Sequence, residues 1–222
     1  MMPGLSQILT CPHCGQTKEI MSLLSGNTFG ADNWSDNKCI APMLPEISYV
    51  QKCPRCAAYF IRSRQAEVYS ESDYSSDCGS LSFAEAKEAF AQLSQEKFLN
   101  IEEEANVRML LHHAYNDYYF RDSRYFRDGY FKDGKFVRDN GPRTASEADK
   151  QLFRENALWL IENFFEDDVL KAEFYREAGN MEMAKTLIEK VSADDDFMRN
   201  LVTAIKEKIS KGETAVFLIK QT

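Results

Sequence analysis

The sequence predicts an α+β protein that is mainly α. A small β module comes first, and a helical domain carrying one β-hairpin follows. Three observations predict this. Two Cys-Pro-x-Cys turns fall within the first 56 residues, the second flanked by short segments, 47–52 and 57–61, rich in β-branched and aromatic side chains. From Ser82 onward, apolar residues recur at helical spacing in segments opened by capping residues. Between two such helical segments, Asp133 and Gly134 form a two-residue turn inside the run 130–137. The expected organisation is a cysteine module over 1–65, a linker over 66–80 and a helical domain over 81–222.

Taken in order, 47–52 and 57–61 read as the two strands of a hairpin. Residues 22–46, with Gly26, Gly30, Pro42, Pro45 and several Asn, Asp and Ser, read as an irregular loop. Residues 66–80 are polar and serine-rich, as a linker would be. Ser82 with Glu85 forms a capping-box pattern that opens a helix to about Leu99. A second helix runs from Ile101 to about Phe120, with Glu102, Glu103 and Glu104 at the positive end of its dipole. Thr144 and Glu147 repeat the capping pattern before a helix at 146–165. Further helices are expected at 168–178, 181–191 and 195–210. The apolar run 214–219 is too short for a helix and reads as an edge strand.

Composition bounds the function. The chain has 222 residues, 44% apolar and 28% charged, enough to bury a core without help. Its formal net charge is −8, so it has no global attraction for nucleic acid or anionic membrane. Only two stretches are mildly positive: 1–65, with 6 basic and 4 acidic residues, and 115–138, with the same counts. No stretch approaches the roughly 18 apolar residues of a membrane span, and no secretory signal is visible. A cytoplasmic location is therefore expected, where paired cysteines point to metal or redox chemistry rather than disulfides.

Cys11 and Cys14 are separated by 38 residues from Cys53 and Cys56. A Cys-x-x-Cys turn sets two sulfurs on one side of an ion, and two such turns complete a tetrahedron. A closed four-thiolate shell leaves no open position, so its metal holds the fold and does no chemistry. The expected ion is structural Zn²⁺ on Cys11, Cys14, Cys53 and Cys56, with iron the less favoured occupant of the same ligands. The resulting charge of −2 would be offset by Lys18, Lys52 and Arg55. The two turns resemble the knuckles of zinc ribbons, and Gly15 fits that family. Ala57 replaces the corresponding glycine after the second pair, and the 38-residue gap implies a looped insertion. A competing reading is thiol-redox chemistry, because CPHC is similar to the motif of thioredoxin-fold oxidants. It needs a βαβ context, which is missing, and leaves Cys53 and Cys56 unexplained.

Cys39 and Cys78 read as ordinary thiols, the sharper alternatives being a substitute ligand at Cys39 or a redox pair. His112 and His113 sit mid-helix with no metal-binding or catalytic pattern around them, and His113 is placed to reach Asp117 one turn on. Residues 115–136 interleave aromatics, among them Tyr125, Phe126, Tyr130 and Phe131, with Arg121, Arg124, Arg127, Lys132 and Lys135. Such a strip either stacks single-stranded bases or forms a core hairpin. Asp117, Asp122, Asp128 and Asp133 break its positive field and favour the core.

Ala172, Tyr175, Gly179, Ala184, Ile188 and Val191 are spaced 3, 4, 5, 4 and 3 residues apart, and this stretch resembles one tetratricopeptide repeat. Its face needs cover from the neighbouring helices, through Leu152, Phe153 and Trp159 on one side and Phe197, Leu201 and Ile205 on the other. The two Cys-Pro-x-Cys turns, the approach PMLPEISYVQKCPRC and the repeat at 172–191 together resemble bacterial proteins of unknown function that join a zinc ribbon to a tetratricopeptide-like C-terminus. That resemblance implies no known activity. The expected function is a non-enzymatic zinc-binding adaptor for a protein partner. The alternatives are a nucleic-acid-binding ribbon, using Arg55, Arg62, Arg64 and the aromatic stretch, and a thiol-redox enzyme.

Overall fold

The structure, a computed structural model, describes residues 1–70, 75–121, 129–132, 135–138, 143–193 and 195–219. The fold is α+β, with small antiparallel sheets toward the N-terminal end and helices toward the C-terminal end. The strands are β1 (Met2–Pro3), β2 (Gln7–Thr10), β3 (Thr17–Ile20), β4 (Leu23–Ser25), β5 (Asp32–Asn33), β6 (Cys39–Ile40), β7 (Val50–Lys52), β8 (Tyr59–Ile61), β9 (Val68–Tyr69), β10 (Gly129–Lys132) and β11 (Lys135–Arg138). The helices are α1 (Phe83–Glu96), α2 (Ile101–Tyr119), α3 (Glu147–Asn163), α4 (Asp168–Glu177), α5 (Met181–Ile188) and α6 (Asp196–Ser210). The chain falls into two compact units. Unit 1 is Met1–Asp32 with Cys39–Leu111, and unit 2 is Asn33–Lys38 with His112–Thr222. Among the described residues, no helix is long and apolar enough to cross a membrane.

In unit 1, each cysteine turn closes a hairpin. The expected β7–β8 hairpin forms, with Val50 opposite Ile61 and Lys52 opposite Tyr59. A second hairpin, β2–β3, brackets the first turn, and the sequence reading had no strands there. Each of these strands is four residues long and buries one side chain, Leu9 in β2 and Ile20 in β3, too little for a strand pattern to show in the sequence. The inner face of β7–β8 buries Val50, Tyr59 and Ile61 against Ala89, Leu93 and Val107 of α1 and α2. Ser82 and Glu85 form the predicted capping box at the start of α1. From α1, Gln92 accepts from the Tyr59 amide at 3.0 Å and donates to the Tyr59 carbonyl at 2.9 Å. Its side chain thus pairs backbone groups that β8 would otherwise leave open.

The stretch 66–80, expected as a linker, lies in unit 1. Its β9 pairs with β2, and its Asp77 and Cys78 carbonyls accept from the amides of Met21 and Ser48 at 2.8 Å. Gly79 adopts φ +66°, and a Cβ there would fall 2.1 Å from Gln51 Oε1, so only glycine fits this approach.

In unit 2, Val169, Ala172, Ile188, Leu201, Val202 and Ile205 form a core with Ile219. Phe197, expected on that face, is exposed, and Val202 takes part instead. The turn from α4 to α5 passes through Gly179 at φ +85°, and Asn180 caps α5. The start of α3 differs from expectation. Ser146, not Thr144, is the cap, accepting from the Asp149 amide, so the cap lies two residues later in the chain. The tail expected as an edge strand does pair. Ser35 N donates to Phe217 O at 2.9 Å and Ile219 N to Asn33 O at 2.8 Å. The β10–β11 hairpin sets Tyr130 opposite Val137 and Phe131 opposite Phe136. The expected turn residues Asp133 and Gly134, and Tyr125 and Phe126 of the aromatic stretch, lie outside the described residues.

Candidate metal centre

The two cysteine turns are built alike. In the first, the Cys11 amide donates to Gln16 O at 2.8 Å and the Gly15 amide returns to Cys11 O at 2.9 Å. In the second, the Cys53 amide donates to Ala58 O at 2.9 Å and the Ala57 amide to Cys53 O at 3.0 Å. Pro12 and Pro54 supply the fixed φ that starts each turn. Gly15 and Ala57 then take left-handed conformations, at φ +70° and +59°. For Ala57 that conformation costs roughly 1–2 kcal/mol, which the sulfur geometry must offset.

The turns face each other. Cys11 Sγ lies 3.7 Å from Cys56 Sγ, and Cys14 Sγ lies 3.6 Å from Cys53 Sγ. All four sulfurs fall within 4.8 Å of one another. These separations are far longer than the roughly 2.05 Å of a disulfide. They match the edge of a tetrahedron of thiolates around an ion at about 2.3 Å, which is about 3.8 Å. The four cysteines expected as ligands are therefore brought together, and the group can hold a metal ion. Cys11 and Cys53 are buried among Leu9, Ile20 and Phe60, whereas Cys56 is exposed. Cys39 and Cys78 are not part of the cluster.

The electrostatics fit a cation. Burial opposes ionisation of Cys53, yet the amides of Cys56 and Arg55 bring its thiol down to about 6. At Cys56 the Ala58 amide favours the thiolate, but lost hydration and the sulfurs of Cys53, Cys14 and Cys11 push the thiol up to about 12. Four crowded sulfurs resist losing successive protons, and a divalent ion among them reverses that. Two of the three expected offsetting cations are engaged elsewhere. Lys52 Nζ pairs with Glu85 at 2.9 Å and Lys18 Nζ with Asp77 at 3.1 Å.

Unit 2 holds a second polar centre that the sequence reading missed. Asp36, His112, Asn116, Arg121, Glu173, Arg176 and Glu177 are all buried. Arg121 Nη2 grips both Asp36 oxygens, and its Nη1 meets Asp117 Oδ1 at 2.5 Å. Asn116 Nδ2 donates to Asp36 Oδ2 and to Glu177 Oε2, each at 2.9 Å. His112 Nε2 meets the same Glu177 oxygen at 2.9 Å, with its ring stacked on Phe174 and Phe153 at 4.2 and 4.5 Å. Arg176 holds Glu173 by two contacts, at 2.8 and 2.5 Å. His113 Nε2 lies 3.1 Å from the Asp36 carbonyl oxygen.

No protein-family model, curated protein or solved structure matches this chain.

A pH prediction arises from the polar centre. Burial raises Glu177 to about 7, with Asp36 adding to the rise and Arg176 and Asn116 opposing it. Burial likewise raises Glu173 to about 7 against the pull of Arg176. A carboxyl raised on folding ionises first in the unfolded chain, so its contribution to stability falls as pH rises from about 4.5 through about 7. His112, which burial depresses to about 4, acts oppositely: stability is lost as pH falls from about 6.5 toward that value. Glu177→Gln removes only the first kind of contribution at this site. Relative to the unsubstituted protein, it should gain on the order of 1–3 kcal/mol between pH 5 and pH 8 in urea titrations. An equal effect at both pH values would remove the assignment.

Proposed function

We propose that the chain is a structural-zinc protein that acts as a non-enzymatic adaptor for a protein partner. The observation that carries this reading is the closed group of four sulfurs, all within 4.8 Å of one another, with no position left for substrate. Zinc is favoured over iron because a site that only staples two hairpins needs no redox-active ion. The adaptor half draws on two features. The helix–turn–helix of α4 and α5 buries Ala172 and Ala184 completely and turns at Gly179, in keeping with the tetratricopeptide-like spacing and with the family the sequence resembles. Unit 1 also exposes Met1, Met2, Leu24, Met43 and Leu44, and methionine-rich apolar surfaces adapt to partner shape.

The alternatives draw less support. Arg64, expected to meet phosphates, is committed to Glu103 by contacts of 2.7 and 2.5 Å. The Cys11 and Cys14 sulfurs each approach a sulfur of the other turn, which suits a shared ion better than a CPHC redox couple. The test is affinity capture on the full zinc-loaded chain and on Leu24→Asp, a change at an exposed site. A stoichiometric protein recovered by the first and lost by the second, at equal melting temperature, supports the adaptor. Recovery of no protein by either, or of nucleic acid alone, removes it.

A further inference from the structure

The four cysteines of the metal centre are not equally sheltered. Cys11 and Cys53 are only 2% and 1% exposed, and Cys14 is half-buried, whereas Cys56 is exposed. Its neighbours Pro54, Arg55 and Ala57 are exposed too, so the turn that carries Cys56 stands in solvent. On the other turn, Cys11 Sγ lies 3.7 Å from Cys56 Sγ. Cys14 and Cys53 make a second pair across the turns, at 3.6 Å.

An accessible sulfur with a second thiol beside it is the arrangement that peroxides oxidise reversibly. The thiolate, not the thiol, is the reactive form. Zn²⁺ gives up no electrons itself, but when bound it keeps its sulfur ligands deprotonated. Cys39 is also exposed, yet it stands outside the cluster, where no shared ion would hold it ionised.

We propose that Cys56 is a site of oxidative modification by hydrogen peroxide, and that its oxidation dismantles the metal site by joining the two turns through disulfides Cys11–Cys56 and Cys14–Cys53. The inference rests on the zinc reading above. First, the Cys56 thiolate attacks a peroxide oxygen: an S–O bond forms, the O–O bond breaks and hydroxide leaves. Next, the Cys11 thiolate attacks that sulfenic sulfur: an S–S bond forms and a second hydroxide leaves. Two sulfurs have lost two electrons, and one peroxide has gained them. Cys14 and Cys53 are then two ligands where four are needed, and a second peroxide oxidises them in the same way. Four thiolates and two peroxides thus give two disulfides and four hydroxides, and no sulfur remains to hold a metal.

The direction of pairing has a structural consequence. A CPHC redox couple would join Cys11 to Cys14 and leave the two hairpins separate. Bridges between the turns span 45 and 39 residues and keep β2–β3 tied to β7–β8. The oxidised chain gives up metal binding but keeps the two hairpins together, so thiols and renewed zinc can reverse the change.

The test uses the full zinc-loaded chain with Cys39→Ser and Cys78→Ser, so that only the cluster thiols report. Hydrogen peroxide is added beside a chromophoric zinc chelator, and the unreduced product is digested and mapped by mass spectrometry. About one zinc should be released for every two peroxides consumed. The bridges should be Cys11–Cys56 and Cys14–Cys53, and dithiothreitol should restore zinc binding. Cys56→His keeps a ligand that zinc accepts but removes the exposed sulfur. It should release zinc under peroxide about tenfold more slowly; if it holds no zinc, the bridge map decides. Three results would overturn the proposal: zinc that stays bound under peroxide sufficient to oxidise glutathione, bridges confined to Cys11–Cys14 and Cys53–Cys56, or an unchanged release rate in zinc-loaded Cys56→His. A chain purified under reducing conditions without zinc would remove both this inference and the metal reading. A zinc-loaded chain indifferent to peroxide would remove this inference alone.

Discussion

If the four-cysteine group holds zinc as proposed, removing the ion should unfold the two cysteine hairpins of unit 1 while α4, α5 and α6 of unit 2 stay folded. The magnitudes favour a complete loss. Structural zinc contributes about 10–16 kcal/mol in small metal-dependent domains. A whole domain is stable by only about 5–15 kcal/mol. The cysteine hairpins have little to set against that loss beyond the face of β7–β8 that packs on α1 and α2. The strands of unit 1 are two to four residues long and paired mostly as isolated hairpins, which are marginal in water. The core beneath the sulfurs consists of Leu9, Ile20 and Phe60 with Cys11 and Cys53 themselves. Without the ion, two buried thiols and a left-handed Ala57 are left with nothing to hold them in place. The measurements are zinc stoichiometry, expected at one ion per chain, and amide hydrogen exchange before and after chelation. Protection at β2, β3, β7 and β8 should vanish together. Cys53→Ser should reproduce the loss, whereas Cys39→Ser and Cys78→Ser should retain full zinc, since neither sulfur belongs to the cluster. Undiminished protection in metal-free protein would end the structural-zinc reading.

The metal ligands were legible because the information was chemical and local. Two Cys-Pro-x-Cys turns specify their own backbone, and four thiols have few other uses at that spacing. The start of α1 was legible for the same reason, since Ser82 accepts from the amide of Glu85 three residues on. The polar centre of unit 2 was not. Asp36 sits in a segment whose composition reads as surface loop, and 85 residues separate it from Arg121. Glu173, Arg176 and Glu177 have the spacing of a solvated helix face, yet all three are buried. Burial of charge there is decided by partners distant in sequence, and periodicity cannot report it. The same limit hid the role of Gln92, whose pairing with Tyr59 is set by tertiary geometry.

Asp36→Ala should be the most damaging single substitution in unit 2, at about 3–5 kcal/mol, because it leaves a buried guanidinium without its main counter-charge. Asp36 is fully buried, and Arg121 Nη2 contacts both of its carboxylate oxygens. Burial by itself would raise its carboxyl, but the charges of His113 and Arg121, with His112 and Asn116, hold it well below the usual carboxylate range. After substitution, Arg121 keeps Asp117, and its face over the Trp34 ring at 5.0 Å cannot replace a carboxylate. Asn116 loses one of its two acceptors as well. The damage should reach the segment 33–38, which is otherwise held through backbone bonds to 217–219 and the Lys38–Asp117 pair at 2.6 Å. The pH dependence has a definite sign. A carboxyl depressed on folding stabilises above its unfolded value near 4 and loses that contribution as pH falls through its folded value. The acid-side slope of stability should therefore flatten in Asp36→Ala. Urea titration checks the magnitude, and the double variant Asp36→Leu with Arg121→Met checks the cause. If the cost is an orphaned charge rather than lost packing, removing both partners should restore most of the stability. A single-variant cost below about 1 kcal/mol, or no recovery in the double variant, would show that the pair does not organise this unit.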